Sequence, residues 1–276
     1  MLEVFQSKFK SLIGNLHKEK VLIAASGGLD SSVLIDLCYQ LKLDFGICHV
    51  NFQLRGQESD EDQKFLENLA ERLNKPIYVL TENAKTYAQT HKCSTQEAAR
   101  IIRYNWFDTC LKKYDYDYLL TAHHADDNLE TFLINSFRGT GLKGLTGIPA
   151  QRDYILRPLL SFTQNDILDY AKKQNLKWRE DQSNASDNYL RNVIRHHLLP
   201  FFEKRNDNLH ARFDSTLKHI NRQHELLEDY LQMAFKHVVE ESDNSYKINI
   251  QKLQEFPHPK NLLIEWLKDF QFSDWD

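Results

Sequence analysis

The segment Ser26-Gly27-Gly28-Leu29-Asp30-Ser31-Ser32 combines groups that hold phosphate with one group that repels it. An apolar, β-prone run (Val21 to Ala25) empties into it, and an apolar helical run (Val33, Leu34, Leu37, Leu41) leaves it. Strand, glycine turn and helix start aim unpaired backbone N–H groups and the positive end of a helix dipole at an anion. Adjacent glycines let the backbone approach that anion and reach positive φ without a Cβ penalty. Ser26, Ser31 and Ser32 add hydroxyl donors. Asp30 tolerates phosphates only with a cation between them, which implies Mg²⁺, a metal suited to carboxylate and phosphate oxygens. No Gly-Lys-Ser/Thr closes the segment, so it is not a Walker loop. An ordinary strand-to-helix turn capped by Asp30 is the plain alternative.

A second set runs from Thr121-Ala122-His123-His124 through Asp126-Asp127 to Glu130-Thr131. A helix beginning near Asp126 puts Asp127 and Glu130 one turn apart on one face. Such carboxylates can hold Mg²⁺ or the ammonium of an amine substrate, and His123 or His124 can donate to a phosphate or move a proton. The same residues fit a transition metal less well, because a neighbouring phosphate loop calls for an oxygen-ligated cation. Helix capping by the two Asp residues is the alternative. Glu97, Arg100, Arg103 and Tyr104 also share a helix face, as a surface ion-pair ladder or as part of a site. Arg138-Gly-Thr-Gly-Leu-Lys-Gly144 holds a literal G-x-G-x-x-G, but it follows a helix and reads as a flexible loop closing over the site. From Asp187 to Arg222 basic residues outnumber acids, and residues 223–243 turn acidic. That stripe permits contact with a nucleic-acid backbone and equally describes a solvated helix face.

Positioning these groups requires strands that end on one edge. Val21–Ala24, Phe45–Val50, Pro76–Thr81 and Asp117–Ala122 read as strands, with helices over 2–17, from about Val33, over 59–73 and from Ser94 to about Lys113. The rhythm gives an α/β fold: an open parallel sheet with helices on both faces and ligands at the strands' carboxyl ends, where His49, Asn51 and Arg55 also arrive. Tyr154–Leu160 reads as a last short strand and Thr163 caps a helix to about Asn175. Asp181-Gln-Ser183-Asn184 is a turn, and a helix from about Asp187 to Phe201 displays Arg191, Asn192 and Arg195. Residues 210–242 read as one long helical segment, Lys247–Ile250 as a strand, and Leu262–Phe272 as an uncapped aromatic run whose Trp266, Phe270, Phe272 and Trp275 lack evident partners. Two regions result: 1–208, carrying the chemistry, and a smaller, mainly helical 209–276.

With 276 residues, 41% hydrophobic and 27% charged, the composition is that of a globular chain. No apolar run approaches a membrane span and no secretory leader is evident, so a cytoplasmic protein without a membrane is expected. Cys38, Cys48, Cys93 and Cys110 form no C-x-x-C pair and read as reduced thiols, although Cys93 and Cys110 are free to meet in space.

Ser26–Ser31 resembles the PP-loop of the ATP pyrophosphatase superfamily, whose members cleave ATP between the α and β phosphates. The wider set is similar to the tRNA(Ile)-lysidine synthetase family: His49-Val-Asn51 with Leu54-Arg55, Glu97-Ala-Ala-Arg100 with Arg103-Tyr104, Ala122-His-His-Ala-Asp-Asp127 with Glu130-Thr131, Arg138 to Leu145, Arg157-Pro158, and Asp181 to Asn184 with Arg191-Asn192 and Ile194-Arg195. The segments run in order over roughly residues 20–200. Phe52 departs from the pattern, standing where many members carry a second His. The family also carries a fuller C-terminal tRNA-binding region, so residues 209–276 are expected to be the start of one.

The resemblance implies that ATP activates C2 of the wobble cytidine of a CAU-anticodon tRNA(Ile), after which free L-lysine displaces AMP. It implies Ser26, Gly27, Gly28, Asp30, Ser31, Ser32, His49, Asn51, Arg103, Thr121 and Ala122 around ATP, with Asp30 and Asp127 as Mg²⁺ ligands. Asp30, Asp127, Glu130, His123 and Arg100 become the catalytic set; Arg55, Arg138, Arg191 and Arg195 face tRNA. A homodimer is left open. Rivals are a tRNA 2-thiolase, disfavoured by the unpaired cysteines, an amide-forming synthetase, and a non-catalytic adenine-nucleotide sensor, for which the acids at 126–130 are superfluous.

Overall fold

β1 (Lys20–Ala24) sorts its side chains into two cores: Val21 and Ile23 enter one, Leu22 the other. Alternation in a strand sends neighbours to opposite faces, so a run that is apolar at every position must be covered on both. The computed structural model describes residues 1–14, 18–180, 190–206, 208–242, 245–270 and 272. Before β1 lies α1 (Leu2–Ile13), and after it come α2 (Leu29–Gln40), β2 (Asp44–Asn51), α3 (Gln57–Leu73), β3 (Ile77–Thr81), α4 (Ala84–His91), α5 (Thr95–Tyr114), β4 (Tyr118–Leu120) and α6 (Ala125–Phe137). A short hairpin, β5 (Gln151–Arg152) and β6 (Ile155–Leu156), and α7 (Gln164–Lys173) follow.

The sheet order is β3-β2-β1-β4-β6-β5, parallel throughout except for β5 against β6. One face is covered by Phe5 and Phe9 of α1, Val33, Leu34 and Leu37 of α2, Leu66 of α3 and Ile167 of α7; the other by Ala84 of α4 and Ala99, Ile102 and Phe107 of α5. This is the α/β architecture expected, with helices on both faces. The chain order reverses between β1 and β4, and the loops leaving those two strands open the crevice where such sheets take ligands.

Beyond α7 the described chain resumes as α8 (Leu190–Val193), a π-helical turn (Ile194–Leu198) and α9 (Leu199–Glu203), then α10 (Leu209–Val238), the hairpin β7 (Val239–Ser242) and β8 (Ser245–Ile248), α11 (Ile250–Gln254) and α12 (Pro259–Asp269). Contacts group Met1–Arg138 with Gly147–His210, and Gly139–Thr146 with Ala211–Asp276. The second group has its own core of Ala234, Val238, Leu253, Leu262 and Trp266.

Several expectations need correction. The long helix stops at Val238, because residues 239–242 pair with 245–248, setting Glu240 opposite Lys247. Ile250 belongs to α11, whose cap Asn249 accepts from the Lys252 N–H. The strand expected over 154–160 is confined to Ile155–Leu156, since Pro158 has no N–H to extend a ladder. α4 was not expected; its signal is Asn83, whose side chain accepts from Lys85 and Thr86 N–H. The glycine-rich segment, expected as a flexible loop, contains a 3₁₀ turn at Leu142–Leu145. α12 opens on Pro259, and Trp266 has partners: its indole donates to Leu231 O at 3.3 Å and meets Phe235 edge-on. Cys110 lies 3.7 Å from Cys48, not Cys93, in Sγ–Sγ distance. The Asp181–Asn184 turn, the helix start near Asp187, Leu16 and Trp275 lie outside the described residues. Among the described residues no helix is long and apolar enough to cross a membrane.

Leu22 of β1 is completely buried in the core that α5 covers. Leu22→Ala is expected to cost roughly 2–5 kcal/mol of stability, read as a lowered urea midpoint with unchanged slope.

Candidate functional site

The phosphate-type loop forms where β1 ends. Ala25 N–H still donates to Cys48 O at 2.9 Å, prolonging the β1–β2 pairing, and the chain then turns through Gly27 at φ +88°. That conformation penalises any residue with a Cβ, which is why glycine stands there. α2 starts at Leu29, and the first N–H groups of a helix have no acceptor within it. Ser26 Oγ accepts from Gly28 N–H at 3.3 Å, and Ser31 Oγ donates to Gly28 O at 3.0 Å. Ser32 Oγ and Asp30 Oδ1 are buried and have no hydrogen-bond partner among the described residues. His49, at the end of β2, bonds through Nδ1 to Ala25 O at 2.9 Å and so buttresses the loop from behind.

The acidic set grows from the neighbouring corner. Thr121 N–H donates to Leu156 O, and Thr121 Oγ1 lies 2.9 Å from His123 Nδ1. His124 is the N-cap of α6; its N–H donates to Asp127 Oδ2 at 3.1 Å. Its imidazole, 1% exposed, reaches Asp126 Oδ2 at 3.3 Å through Nδ1, and Asp127 Oδ2 at 3.4 Å and Asp30 Oδ2 at 3.9 Å through Nε2. His124 is therefore the group on which Asp30 and Asp127 converge. Sequence reasoning had chosen His123, because nothing in two adjacent histidines says which one turns inward.

Glu130 is completely buried and takes a two-pronged bond from Arg195: Nε to Oε1 at 2.6 Å and Nη2 to Oε2 at 3.1 Å. Arg195 Nη2 also reaches Asp127 Oδ1 at 3.1 Å, and Arg191 pairs with Glu130 Oε2 at 3.4 Å and donates to Thr131 Oγ1. These arginines, expected to face tRNA, stand against the carboxylates. Ala122 packs half-buried against the core beneath them. Asn51 and Arg55 are held by α3 instead: Asn51 Nδ2 donates to Asp60 and Gln63, and Arg55 to Asp62 at 2.7 Å. Arg100 lies over the Tyr104 ring and Arg103 over Phe52, so the residue that replaces the second His is a platform for a guanidinium. Arg138 caps the end of α6 and is exposed.

Burial sets most of the electrostatics. It pushes His123 down to about 4, helped by Arg157, Arg191 and His124, so this imidazole is neutral at pH 7. Burial also opposes charge on His124, but its hydrogen bond to Asp126 and the charges of Asp127 and Asp30 outweigh it and raise His124 above its usual value. Asp30 is raised, mainly by burial and further by Asp127, with His124 and Arg195 pulling the other way. Asp30 Oδ1 and Ser32 Oγ, buried and unpartnered beside a helix start, suit a hard cation and a phosphate oxygen. Asp127 suits a metal less well, since its oxygens already serve Arg195 and His124.

Residues not singled out from sequence extend the cluster. His210 Nε2 meets Asp126 Oδ1 at 3.3 Å and Glu203 Oε1 at 3.6 Å. Asp126 also accepts Gln164 N–H, and its carboxyl is held below the ordinary range: burial opposes this, and the bonds from His124, His210 and Gln164 prevail. His210 is raised, first by its bond to Asp126, against burial. A raised histidine contributes stability in full below its unfolded value of 6.5 and loses it as pH climbs through the folded value; a depressed carboxyl loses its contribution in acid, below 3.8. The stability gap between wild type and His210→Gln is thus expected to be widest between pH 3.8 and 6.5 and to close above that window, as urea unfolding across pH will register.

Comparison with known proteins agrees with this geometry. Residues 1–202 match the PP-loop domain, and residues 241–276 match the TilS substrate binding domain. The chain is 36% identical over 253 residues to a tRNA(Ile)-lysidine synthase of Parabacteroides distasonis, covering 92% of this chain and 57% of that protein. It is 32% identical over 247 residues to the Bacillus subtilis tRNA(Ile)-lysidine synthase, covering 87% and 52%. The chain thus spans about half the length of the curated relatives it matches. The U34-tRNA thiolase NcsA from Methanococcus maripaludis, a solved structure with its [4Fe-4S] cluster, superposes with a TM-score of 0.58 at 18% identity, over 79% of each chain, a likeness of fold. On a match over residues 1–202, nearly three-quarters of its length and including both the glycine turn after β1 and the acidic start of α6, this chain belongs to the PP-loop domain family.

Proposed function

We propose that the chain carries the catalytic part of an ATP-dependent lysidine-forming enzyme acting on the wobble cytidine of CAU-anticodon tRNA(Ile) in the cytoplasm. The observation that carries this reading is the meeting of Asp30, from the glycine loop, with Asp127, from the start of α6, on the buried His124 imidazole, with Glu130 held beside Asp127 by Arg195. A nucleotide sensor needs the loop alone; two-step ligation also needs acids and a neutral base beside it. The similarity to lysidine synthases over most of the chain supports the same reading. A thiolase would want reactive thiols at the strand ends, whereas Cys48 of β2 and Cys110 of α5 are buried against each other in the core.

In the first step the C2 oxygen of cytidine bonds to the α-phosphorus and the bond to the β-phosphate breaks, releasing pyrophosphate. The N–H groups at the start of α2, with Ser26, Ser31 and Ser32, receive the charge of that leaving group. Mg²⁺ bound at Asp30 would neutralise phosphate charge there. Arg100 and Arg103 would pin phosphate or tRNA near the site. In the second step the lysine ε-nitrogen bonds to C2, the C2–O bond breaks and AMP leaves. The incoming ammonium must first lose a proton. His123 is neutral, and in the tautomer that donates Nδ1–H to Thr121 its Nε2 offers the lone pair to take it. Asp127 and Glu130 attract the ammonium, while Arg195 and Arg191 hold both carboxylates in place. Arg55 and Arg138 would meet tRNA outside the crevice, with the region from residue 209 as the start of a tRNA-binding part.

Incubation with ATP, tRNA(Ile) and each amino acid in turn is expected to release pyrophosphate only with tRNA and to form product only with lysine; tRNA-independent turnover would refute the reading. Asp30→Asn should keep the circular dichroism of the wild type and lower AMP release by about 10²-fold or more.

A further inference from the structure

The glycine loop is braced a second time, by residues that belong neither to β1 nor to the acidic cluster. Arg179 N–H donates to Gly27 O at 2.9 Å. An anion-binding turn works by presenting N–H groups on one side, so its carbonyls must be kept on the other. The Arg179 peptide does this at the residue whose positive φ creates the turn. Arg179 is itself fixed by its side chain: Nε donates to Asp62 Oδ1 at 3.1 Å and Nη2 to Glu61 Oε2 at 2.7 Å, both on α3. α3 is also the wall behind Gly27, where Asp62 O, Phe65 and Leu66 stand 3.6 to 3.8 Å from the position a Cβ would take. Asp62 is buried, and its second oxygen is held by Arg55 at 2.7 Å, whose own N–H bonds Ser59 Oγ.

We propose that Asp62 and Arg179 are positioning residues for ATP: one carboxylate on α3, gripped by two arginines, fixes the Arg179 peptide that turns the Gly27 carbonyl away from the triphosphate. The inference rests on the reading of the loop as an ATP site. Arg179 and Glu61 are substantially exposed, so losing the contact uncovers little of the core and loosens the loop more than the fold. Arg55 and Arg179 take different oxygens of Asp62, so the two grips coexist and do not compete.

The test is equilibrium dialysis of radiolabelled Mg·ATP against the whole 276-residue chain, with thermal unfolding of the same samples. Arg179→Met and Asp62→Asn are each expected to weaken ATP by about tenfold, the scale of one lost charge-assisted contact. Arg179→Lys, which keeps a charge but not the fork, should fall between. The double variant should be no weaker than the worse single one, because the two residues act as a unit. ATP affinity within about twofold of wild type in both single variants, or losses that follow thermal destabilisation, would overturn the brace while leaving the ATP site standing. No ATP binding by the wild-type chain would overturn the site reading and the brace together.

Discussion

Two carboxylates from different corners of a sheet, Asp30 and Asp127, are brought to one buried imidazole, and the rest of the site exists to make that tolerable. Like charges in a low-dielectric crevice repel strongly, and removing them from water costs more still. The chain offsets both with basic groups: His124 between the two acids, Arg195 bridging Asp127 and Glu130, Arg191 behind Glu130, and His210 behind Asp126. Such a cluster stabilises little for its size, and its use lies in pre-organisation, since acids already fixed in place need no rearrangement when charge develops.

The sheet supplies the placement. Its order reverses at β1 and β4, and both strands send their chains out on the same edge into helix starts. One helix start carries Ser and Gly donors for an anion, the other acids for a cation. The two faces of one crevice thus have opposite electrostatic preference, which suits a reaction that separates a polyanion from an adduct and then admits an ammonium.

The sheet was readable in the residues because its strands are buried on both faces, and continuous apolar runs such as Val21–Ala24 and Phe45–Val50 leave few alternatives. The C-terminal hairpin was not: residues 239–242 continue a helical pattern, and only pairing with 245–248, a tertiary fact, makes them a strand. In the site, the glycine loop and the Asp127–Glu130 face were legible because both depend on local spacing. Arg191 and Arg195 were assigned to tRNA through the resemblance, and nothing local in a basic stripe says what it faces; in the structure both pair with Glu130. His210, Asp62 and Arg179 gave no local signal, since their partners lie 84, 117 and 117 positions away or are reached only through the fold.

The acidic cluster draws on residue 30, residues 124–130, residues 191–195 and residues 203–210. The arginines that pair with Asp127 and Glu130 come from more than sixty positions further along the chain. On a ribosome, where synthesis runs from the N-terminus, the sheet can collapse early, yet the acids at the start of α6 have only His124 beside them until the segments carrying Arg191, Arg195 and His210 have emerged. Ionic closure of the crevice is therefore a late folding event that follows assembly of the hydrophobic layers, and a nascent chain halted short of α9 would hold the scaffold without a settled centre.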